Sequence, residues 1–259
     1  MTVEGSFPLG AAICVYFLIR DHHPLLALLA AGLLGGVAGI VTGLLHTKLR
    51  IPSLLAGILS MIALYSVNLR IMGKANVSLL GKETAFTYME TFGLDYAQSV
   101  FIVGLLATVV IGTLIYWFFG TEIGAAIRAT GFNPQMIRAQ GIDTNVMLLL
   151  GLFLSNALTA MAGAFIGMNN GFFDVGMGVG TIVIGLASVI IGEVLFGTRS
   201  FKNSLVSVIL GSIVYRFVIA IVLQMGMPPN DLKLFTSVLV VIALALPMMR
   251  DKVQRRKVG

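Results

Sequence analysis

The sequence is poor in charge. Only 11% of its 259 residues are charged, whereas soluble domains carry about 25%. Apolar residues make up 58% of the chain and the mean hydropathy is +0.98. This composition predicts a membrane protein. At about 20 residues per span, the length leaves room for seven or eight spans and for no sizeable soluble domain.

Cysteine and histidine are also scarce. The single cysteine, Cys14, lies in an apolar run, which excludes disulfides and cysteine-based metal sites. His22, His23 and His46 fall at predicted loop ends on opposite sides of the membrane, so they cannot form one metal site. The chain contains no HExxH, GxSxG, Walker A or paired-carboxylate motif. We therefore expect no catalytic residue, no metal site and no cofactor, and we expect any ATPase to lie on another chain.

What the chain does contain is a series of long apolar runs separated by polar residues, glycine and proline. These runs predict membrane spans at 24–45, 52–72, 96–119, 146–168, 178–197, 203–224 and 232–249. Residues 7–20 form a shorter run, which predicts an N-terminal half-helix. Gly35, Gly39 and Gly43 recur at every fourth position, a spacing that lets helix backbones approach closely in lipid. The expected architecture is an all-α polytopic bundle, a single transmembrane domain over residues 1–259.

The basic residues predict the orientation of this bundle. If the C-terminus is cytoplasmic, the inner loops and the tail at 250–259 hold eleven of the 17 lysines and arginines. The predicted outer segments carry most of the acidic residues, so the pattern follows the positive-inside rule. The expected location is the plasma membrane, with a cytoplasmic C-terminus. The net charge of +6 is then explained by topology and indicates no nucleic-acid partner, although the tail could also bind anionic lipid.

Two segments interrupt the helical pattern by placing an acid and glycines just before an apolar helix. They are residues 4–12 and residues 174–181. Ser6 is a predicted N-cap with Pro8 in the first helical turn, and Asp174 precedes the second helix in the same way. Helix starts inside the membrane would direct N–H groups and positive dipole ends at a substrate. We therefore place Glu4, Ser6 and Asp174 on a substrate path; the alternative is an ordinary glycine-rich loop.

A few polar residues lie within the predicted spans, the clearest being Asn156, Glu193 and Arg216. Such residues are costly in lipid unless they face a cavity or a partner. Two roles therefore remain open for them, an interhelical hydrogen bond or a place on the substrate path. Asn156 and Glu193 are included in the predicted path.

Residues 120–145 are too polar to span the membrane, yet they carry clear helix signals. Asn133 is a natural N-cap, Pro134 suits the first helical position and Gly141 suits the stop. These signals predict a helix of about two turns over 134–140 that exposes Met136, Ile137 and Arg138. A short helix with defined ends on the inner face is suited to docking into a groove of a partner.

The same residues carry a family resemblance. The run Ala126-Ile-Arg-Ala-Thr-Gly-Phe-Asn-Pro134, continued by Arg138-Ala-Gln-Gly-Ile142, resembles the coupling loop of ABC importer permeases of the branched-chain amino-acid and ribose permease family. Residues 160–164 and 176–197 also resemble this family. The resemblance implies a permease subunit that catalyses no bond chemistry and meets a cytosolic ATPase through Arg128, Gly131, Asn133, Pro134, Met136, Arg138 and Gly141.

Further partners follow from the resemblance. It implies a second permease copy forming a homodimer, a dimer of ATP-binding cassette ATPases and an extracytoplasmic substrate-binding protein, all around the lipid bilayer. The sequence of residues 2–10 is similar to the corresponding segment of permeases that are paired with tryptophan- and tyrosine-type binding proteins. This similarity implies import of an aromatic or other small amino acid. Because relatives carry a further hydrophobic helix before this segment, the chain is expected to be shortened at its N-terminus.

Three alternatives stay open. The chain could import a sugar or nucleoside within the same family, or it could be an ATP-independent secondary transporter. The latter would need membrane-embedded carboxylates, for which Glu193 is the one candidate deep enough. The third alternative is an intramembrane enzyme or lipid-handling protein, for which the sequence offers no pair of nucleophile and base.

Overall fold

A computed structural model describes residues 1–79, 81–90, 93–226, 228, 231, 234–238 and 241. Helices dominate, and a single pair of short strands occurs among these residues. The elements are α1 (Thr2–Ile19), α2 (Pro24–Thr47), α3 (Ser53–Met72), β1 (Asn76–Ser78), α4 (Thr87–Glu90), α5 (Tyr96–Gly120), α6 (Glu122–Phe132), α7 (Pro134–Ala139), α8 (Thr144–Asn170), β2 (Phe172–Asp174), a 3₁₀ turn (Val175–Gly178), α9 (Thr181–Phe196) and α10 (Phe201–Gln224).

Within the described residues, seven helical segments are long and apolar enough to cross a membrane. They are α1, α2, α3, α5, α8, the 3₁₀ turn together with α9, and α10. The predicted all-α polytopic fold is thus confirmed, and the predicted spans agree with these helices to within a few residues. The predicted span 232–249 lies largely outside the described residues, and the basic tail 250–259 lies wholly outside them.

The first helix corrects one expectation. It begins at Thr2 and has 18 residues, about 27 Å at 1.5 Å per residue, so the predicted half-helix over 7–20 was wrong. Ser6 does not cap it, and Pro8 lies inside it. A proline inside a helix removes one backbone hydrogen bond. Packing offsets that loss here, because every residue from Gly5 to Val15 is buried.

Glycine contacts bring the helices of the first compact unit, Met1–Val179, together at backbone distance. A Cβ added at Gly10 of α1 would overlap the backbone of Ala160 in α8, and one added at Gly163 of α8 would overlap the carbonyl of Phe7. Gly35 and Gly39 place α2 similarly close to α8, where an added Cβ would approach the carbonyls of Asn156 and Leu152, and Gly43 lies against the side chain of Leu149. The close approach predicted from their spacing is confirmed.

The two strands join the segments that follow α3 and α8. β1 and β2 pair antiparallel, with Asn76 opposite Asp174 and Ser78 opposite Phe172. Both preceding helices end at a glycine in the left-handed region, Gly73 with φ +70° and Gly171 with φ +72°, a conformation that favours glycine. The pairing leads the chain from α8 to the 3₁₀ turn, which packs against α1.

The second compact unit, Gly180–Gly259, contains α9 and α10 among its described residues. These two helices also pack through small residues. A Cβ at Gly192 would overlap the carbonyl of Ser207, and one at Gly211 would overlap the carbonyl of Ser188. The Ser207 hydroxyl donates to the carbonyl of Gly197 at 2.7 Å, which fixes the end of α9 to α10.

Candidate functional sites

The two segments that place an acidic residue and glycines before an apolar run come into contact in the structure. The first turns of α1 lie against the 3₁₀ turn, where a Cβ added at Gly178 would overlap the carbonyl of Glu4. Beside this contact, α1, α3 and residues 175–179 line an open cavity of about 260 Å³. Its lining residues are Glu4, Gly5, Pro8, Met61, Ile62, Tyr65, Ser66, Asn68, Val175 and Val179.

Asp174 does not line this cavity, but it caps the 3₁₀ turn that forms one of the cavity walls. Its Oδ1 accepts a hydrogen bond from the Gly176 amide at 2.7 Å, and its Oδ2 accepts one from Asn76 Nδ2 at 3.4 Å. Asp174 therefore caps the 3₁₀ turn. It does not start α9 as the sequence suggested, because α9 has Gly180, with φ +88°, as its N-cap. Asp174 still bears on the cavity, because Val175 of the turn that it caps is one of the lining residues.

Ser6 and Asn156 form a buried hydrogen bond between α1 and α8. The Ser6 hydroxyl donates to Asn156 Oδ1 at 2.7 Å, and Asn156 Nδ2 donates to the carbonyl of Leu152 at 2.8 Å. Ser6 is 0% exposed and Asn156 1% exposed. Of the two roles open to Asn156, the structure shows the interhelical hydrogen bond, and neither side chain lines the cavity.

Asn68 is a cavity residue that the sequence analysis missed. It is fully buried in α3, and its Nδ2 donates to the carbonyl of Gly5 at 3.2 Å. Its Oδ1 accepts no hydrogen bond within the described part of the chain. The rule that selected Asn156, a polar residue within a span, would also have selected Asn68.

Glu193 and Arg216 belong to the second unit. Glu193 lies on α9 and Arg216 on α10, and both residues are exposed. Among the described residues, no group of three or more His, Cys, Asp or Glu side chains could hold a metal ion.

The second candidate site is the short helix α7. Asn133 Oδ1 accepts from the Met136 amide at 3.1 Å, and Pro134 occupies the first turn. At the other end, the Gly141 amide donates to Arg138 O at 3.0 Å and the Ile142 amide donates to Ile137 O at 3.3 Å. This pair of bonds is a Schellman motif, and Gly141 supplies its left-handed residue with φ +83°. The predicted helix, its start and its stop are confirmed.

The side chains of α7 divide between the protein and the solvent. Met136 and Arg138 are exposed as predicted. The expectation that Ile137 is exposed as well was wrong, because α7 packs against α6 and α8 and buries it. Arg138 is also held in place, because its Nε donates to Thr144 Oγ1 at 2.7 Å. Arg128 is half-buried on α6.

Phe132, at the end of α6, is the second residue that the sequence analysis passed over. Its side chain is 92% exposed and sits directly before the cap of α7. A large aromatic residue in an otherwise polar segment was the signal available in the sequence. An aromatic side chain so exposed beside a fixed helix is typical of a contact with another protein.

Seven candidate spans, a partly polar cavity beside α1 and α3, and an exposed loop with a rigid helix are typical of a polytopic transport subunit. Residues 2–245 match the family described as "Branched-chain amino acid transport system / permease component". The chain belongs to this family and is a membrane-spanning permease component of an ATP-binding cassette importer. The resemblance carried by the loop at 126–142 is confirmed.

Individual relatives agree with this assignment. A tyrosine transport system permease protein of Clostridioides difficile (strain R20291) is 39% identical over 95% of this chain and 80% of its own length. An uncharacterized protein of Rickettsia prowazekii (strain Madrid E) is 31% identical over 97% of this chain and 88% of its own. The fructose import permease protein FrcC of Rhizobium meliloti is 25% identical over 98% and 71%. No solved structure matches the chain.

Membership has direct consequences for partners. Permeases of this family are transport subunits, and their systems include an ATPase and a substrate-binding protein. The chain is accordingly a multi-pass membrane protein that works with such partners.

Proposed function

We propose that this permease imports an amino acid, with aromatic side chains favoured, and that a cytosolic ATPase drives it through α7. The observation that carries the coupling proposal is the geometry of α7, a helix fixed at both ends beside the exposed Phe132. The 39% identity to a tyrosine transport system permease supports the amino acid. A sugar is the second candidate, supported by the more distant fructose import permease.

The substrate path is proposed to pass the cavity between α1, α3 and the 3₁₀ turn. Glu4 lines this cavity directly. Ser6, Asn156 and Asp174 are proposed to support the cavity walls without lining them. The Ser6–Asn156 hydrogen bond holds α1 against α8, and the Asp174 carboxylate holds the 3₁₀ turn. Glu193 is proposed to add an acidic group to the path from α9.

The ATPase contact is proposed to comprise α7 and the end of α6. Phe132 and Met136 offer exposed apolar surface, and Arg138 offers a charge next to it. Asn133, Pro134 and Gly141 hold the helix in shape. Arg128 and Gly131, both on α6, complete the predicted contact region.

A second copy of the chain is proposed to close the path. The cavity lies at an open face of the first unit, where Ile62 and Tyr65 of α3 expose more than half of their surface. A symmetric pair would bring two such faces together around one axis, and twofold dimers are the commonest oligomers.

The coupling proposal is tested by charge reversal at Arg138. Arg138→Glu is expected to reduce copurification of the ATPase by about tenfold or more, because it replaces an attractive charge at the proposed contact with a repulsive one. Thr144→Val is the matched control, since it removes the hydrogen bond to Arg138 and leaves the charge. Both variants should reach wild-type levels in the membrane. Wild-type copurification of Arg138→Glu would contradict the proposed role of α7.

The orientation is tested by cysteine labelling. In a Cys14→Ala background, Glu83→Cys should react with an impermeant maleimide in intact cells, whereas Met136→Cys should react only after permeabilisation. Both positions are exposed, and Cys14 is fully buried, so the accessibility of the two probes is set by the side of the membrane. Labelling of Met136→Cys in intact cells would place α7 outside and would refute a cytoplasmic coupling helix.

A further inference from the structure

An apolar cleft separates α5 from α2 and α8. The start of α5 is held at the end of α8, where the Tyr96 hydroxyl donates to the carbonyl of Asn169 at 2.7 Å. Beyond this bond, α5 packs mainly against α4 and α6 and makes few contacts with α2 or α8. The space left between these helices is a cleft of about 500 Å³. It has an open side, since Leu106 of its α5 wall is 61% exposed.

The depth of the cleft corresponds to one leaflet of a bilayer. It begins at His23 and Pro24, where α2 starts. On α5 it extends from Ile102 to Ile111, which lie about 14 Å apart at 1.5 Å per residue. Half of a hydrocarbon core of about 30 Å is nearly the same length. Aspartate, glutamate, lysine and arginine are absent from the described residues that line the cleft, so water would find few partners there.

A polar cavity continues the cleft at the end where α2 starts. This cavity has a volume of about 490 Å³, and His23 and Pro24 line both spaces. The ring of His23 contacts that of Tyr88 edge-on at the boundary, with centroids 5.8 Å apart. Asp21 and Glu83 line the polar cavity. A membrane-embedded apolar cleft that opens into a polar cavity matches the two parts of a phospholipid, an acyl chain and a headgroup.

The charges at the polar cavity favour a headgroup that carries an ammonium group. Asp21 is balanced by Lys82, whose Nζ lies 2.7 Å from Asp21 Oδ1. Glu83 forms no ion pair within the described part of the chain. An anionic headgroup such as glycerol phosphate would be repelled by the Glu83 carboxylate, whereas the ammonium group of ethanolamine would be attracted to it.

Taken together, the geometry points to a binding site for one molecule of phosphatidylethanolamine. One acyl chain fills the cleft between α5, α2 and α8, and the headgroup lies in the polar cavity with its ammonium group near Glu83. The site is separate from the cavity beside α1 and α3, because the two share no lining residue. It does not depend on which solute the permease imports.

Two tryptophan variants of α5 test the acyl-chain site. Ala107 is half-buried and lines the cleft, so Ala107→Trp would occupy the volume of the chain. Val109→Trp is the matched control, because Val109 is 58% exposed, does not line the cleft and lies about 200° further around the helix. The permease is purified in dodecyl maltoside, washed until bulk lipid is exchanged, and analysed by native mass spectrometry.

Wild type and Val109→Trp should each retain about one phospholipid per chain, and Ala107→Trp is expected to retain at least about tenfold less, because several methylene groups lose their burial. A monodisperse peak on size-exclusion chromatography reports folding of each variant. A wild-type protein that retains no phospholipid, or equal retention by the two tryptophan variants, would overturn the proposal.

A charge reversal tests the headgroup. Delipidated protein is offered an equimolar mixture of palmitoyl-oleoyl phosphatidylethanolamine and palmitoyl-oleoyl phosphatidylglycerol. Wild type should bind the ethanolamine lipid at least about threefold in excess, and Glu83→Lys should reverse this preference. Equal binding of the two lipids by wild type, or an unchanged preference in Glu83→Lys, would overturn the headgroup assignment.

Photocrosslinking identifies the occupant of the cleft directly and needs no variant that fills it. With p-benzoylphenylalanine in place of Leu106, irradiation of the detergent-washed protein should add the mass of one phospholipid. Crosslinking to a second copy of the chain, or to a peptide from residues 232–249, would show that protein covers the cleft and would overturn the lipid site.

Discussion

Gly163→Leu is expected to prevent the first unit from assembling. The α-carbon of Gly163 in α8 lies against the Phe7 carbonyl of α1, so any side chain overlaps main-chain atoms. Main chain cannot rotate away as a side chain can, and overpacking of this kind costs about 1–3 kcal/mol or more. The separation of α1 from α8 would also break the Ser6–Asn156 hydrogen bond.

Gly104→Leu is the matched control for this prediction. Gly104 lies in the membrane-spanning helix α5, and a Cβ added there would meet no atom within 4 Å. Size-exclusion chromatography of the detergent-solubilised protein should show a monodisperse peak for Gly104→Leu and aggregated or absent protein for Gly163→Leu. Gly163→Ala should fall between them. Equal yields and thermal stability for the two leucine variants would mean that the close contact of α1 and α8 is not needed for assembly.

Gly141→Val is expected to abolish uptake without reducing the amount of protein in the membrane. Gly141 has φ +83°, a conformation that a β-branched residue adopts only with strain. No atom lies within 4 Å of an added Cβ, so the effect comes from the backbone alone. Loss of the Schellman bonds would release the C-terminal turn of α7 and misplace Arg138.

Gly141→Asn separates conformation from side-chain bulk, because asparagine tolerates the left-handed region far better than valine. Uptake in proteoliposomes and ATPase copurification should both rank wild type, Gly141→Asn and Gly141→Val in descending order. If the valine variant transports like wild type, the fixed end of α7 has no part in coupling.

The sequence was sufficient for α7 because its signals are local. Asn133, Pro134 and Gly141 act within one or two turns of themselves, and no distant segment changes their effect. The spans were predictable for a related reason, since the length of an apolar run is set by the thickness of the bilayer. The glycine spacing in α2 likewise predicted close packing, although it could not name α8 as the neighbour.

Other features depend on distant contacts and were therefore missed. The signals at Ser6 and Pro8 placed the start of α1 too late, because the burial of α1 among α2, α3 and α8 outweighs them. The bond between Ser6 and Asn156 joins residues 150 positions apart. The meeting of Glu4 with Gly178 arises in the same way. Local propensity contains no information on such pairs.

The glycine contacts among α1, α2 and α8 have an electrical consequence. Protons and small ions cross a membrane protein along files of water molecules, and a contact too close for a Cβ has no room for water. Moving one elementary charge across the membrane changes its free energy by about 2.3 kcal/mol per 100 mV of membrane potential. The close contacts of α1 and α2 with α8 therefore leave no file of water, and no route for ions, along these helix interfaces.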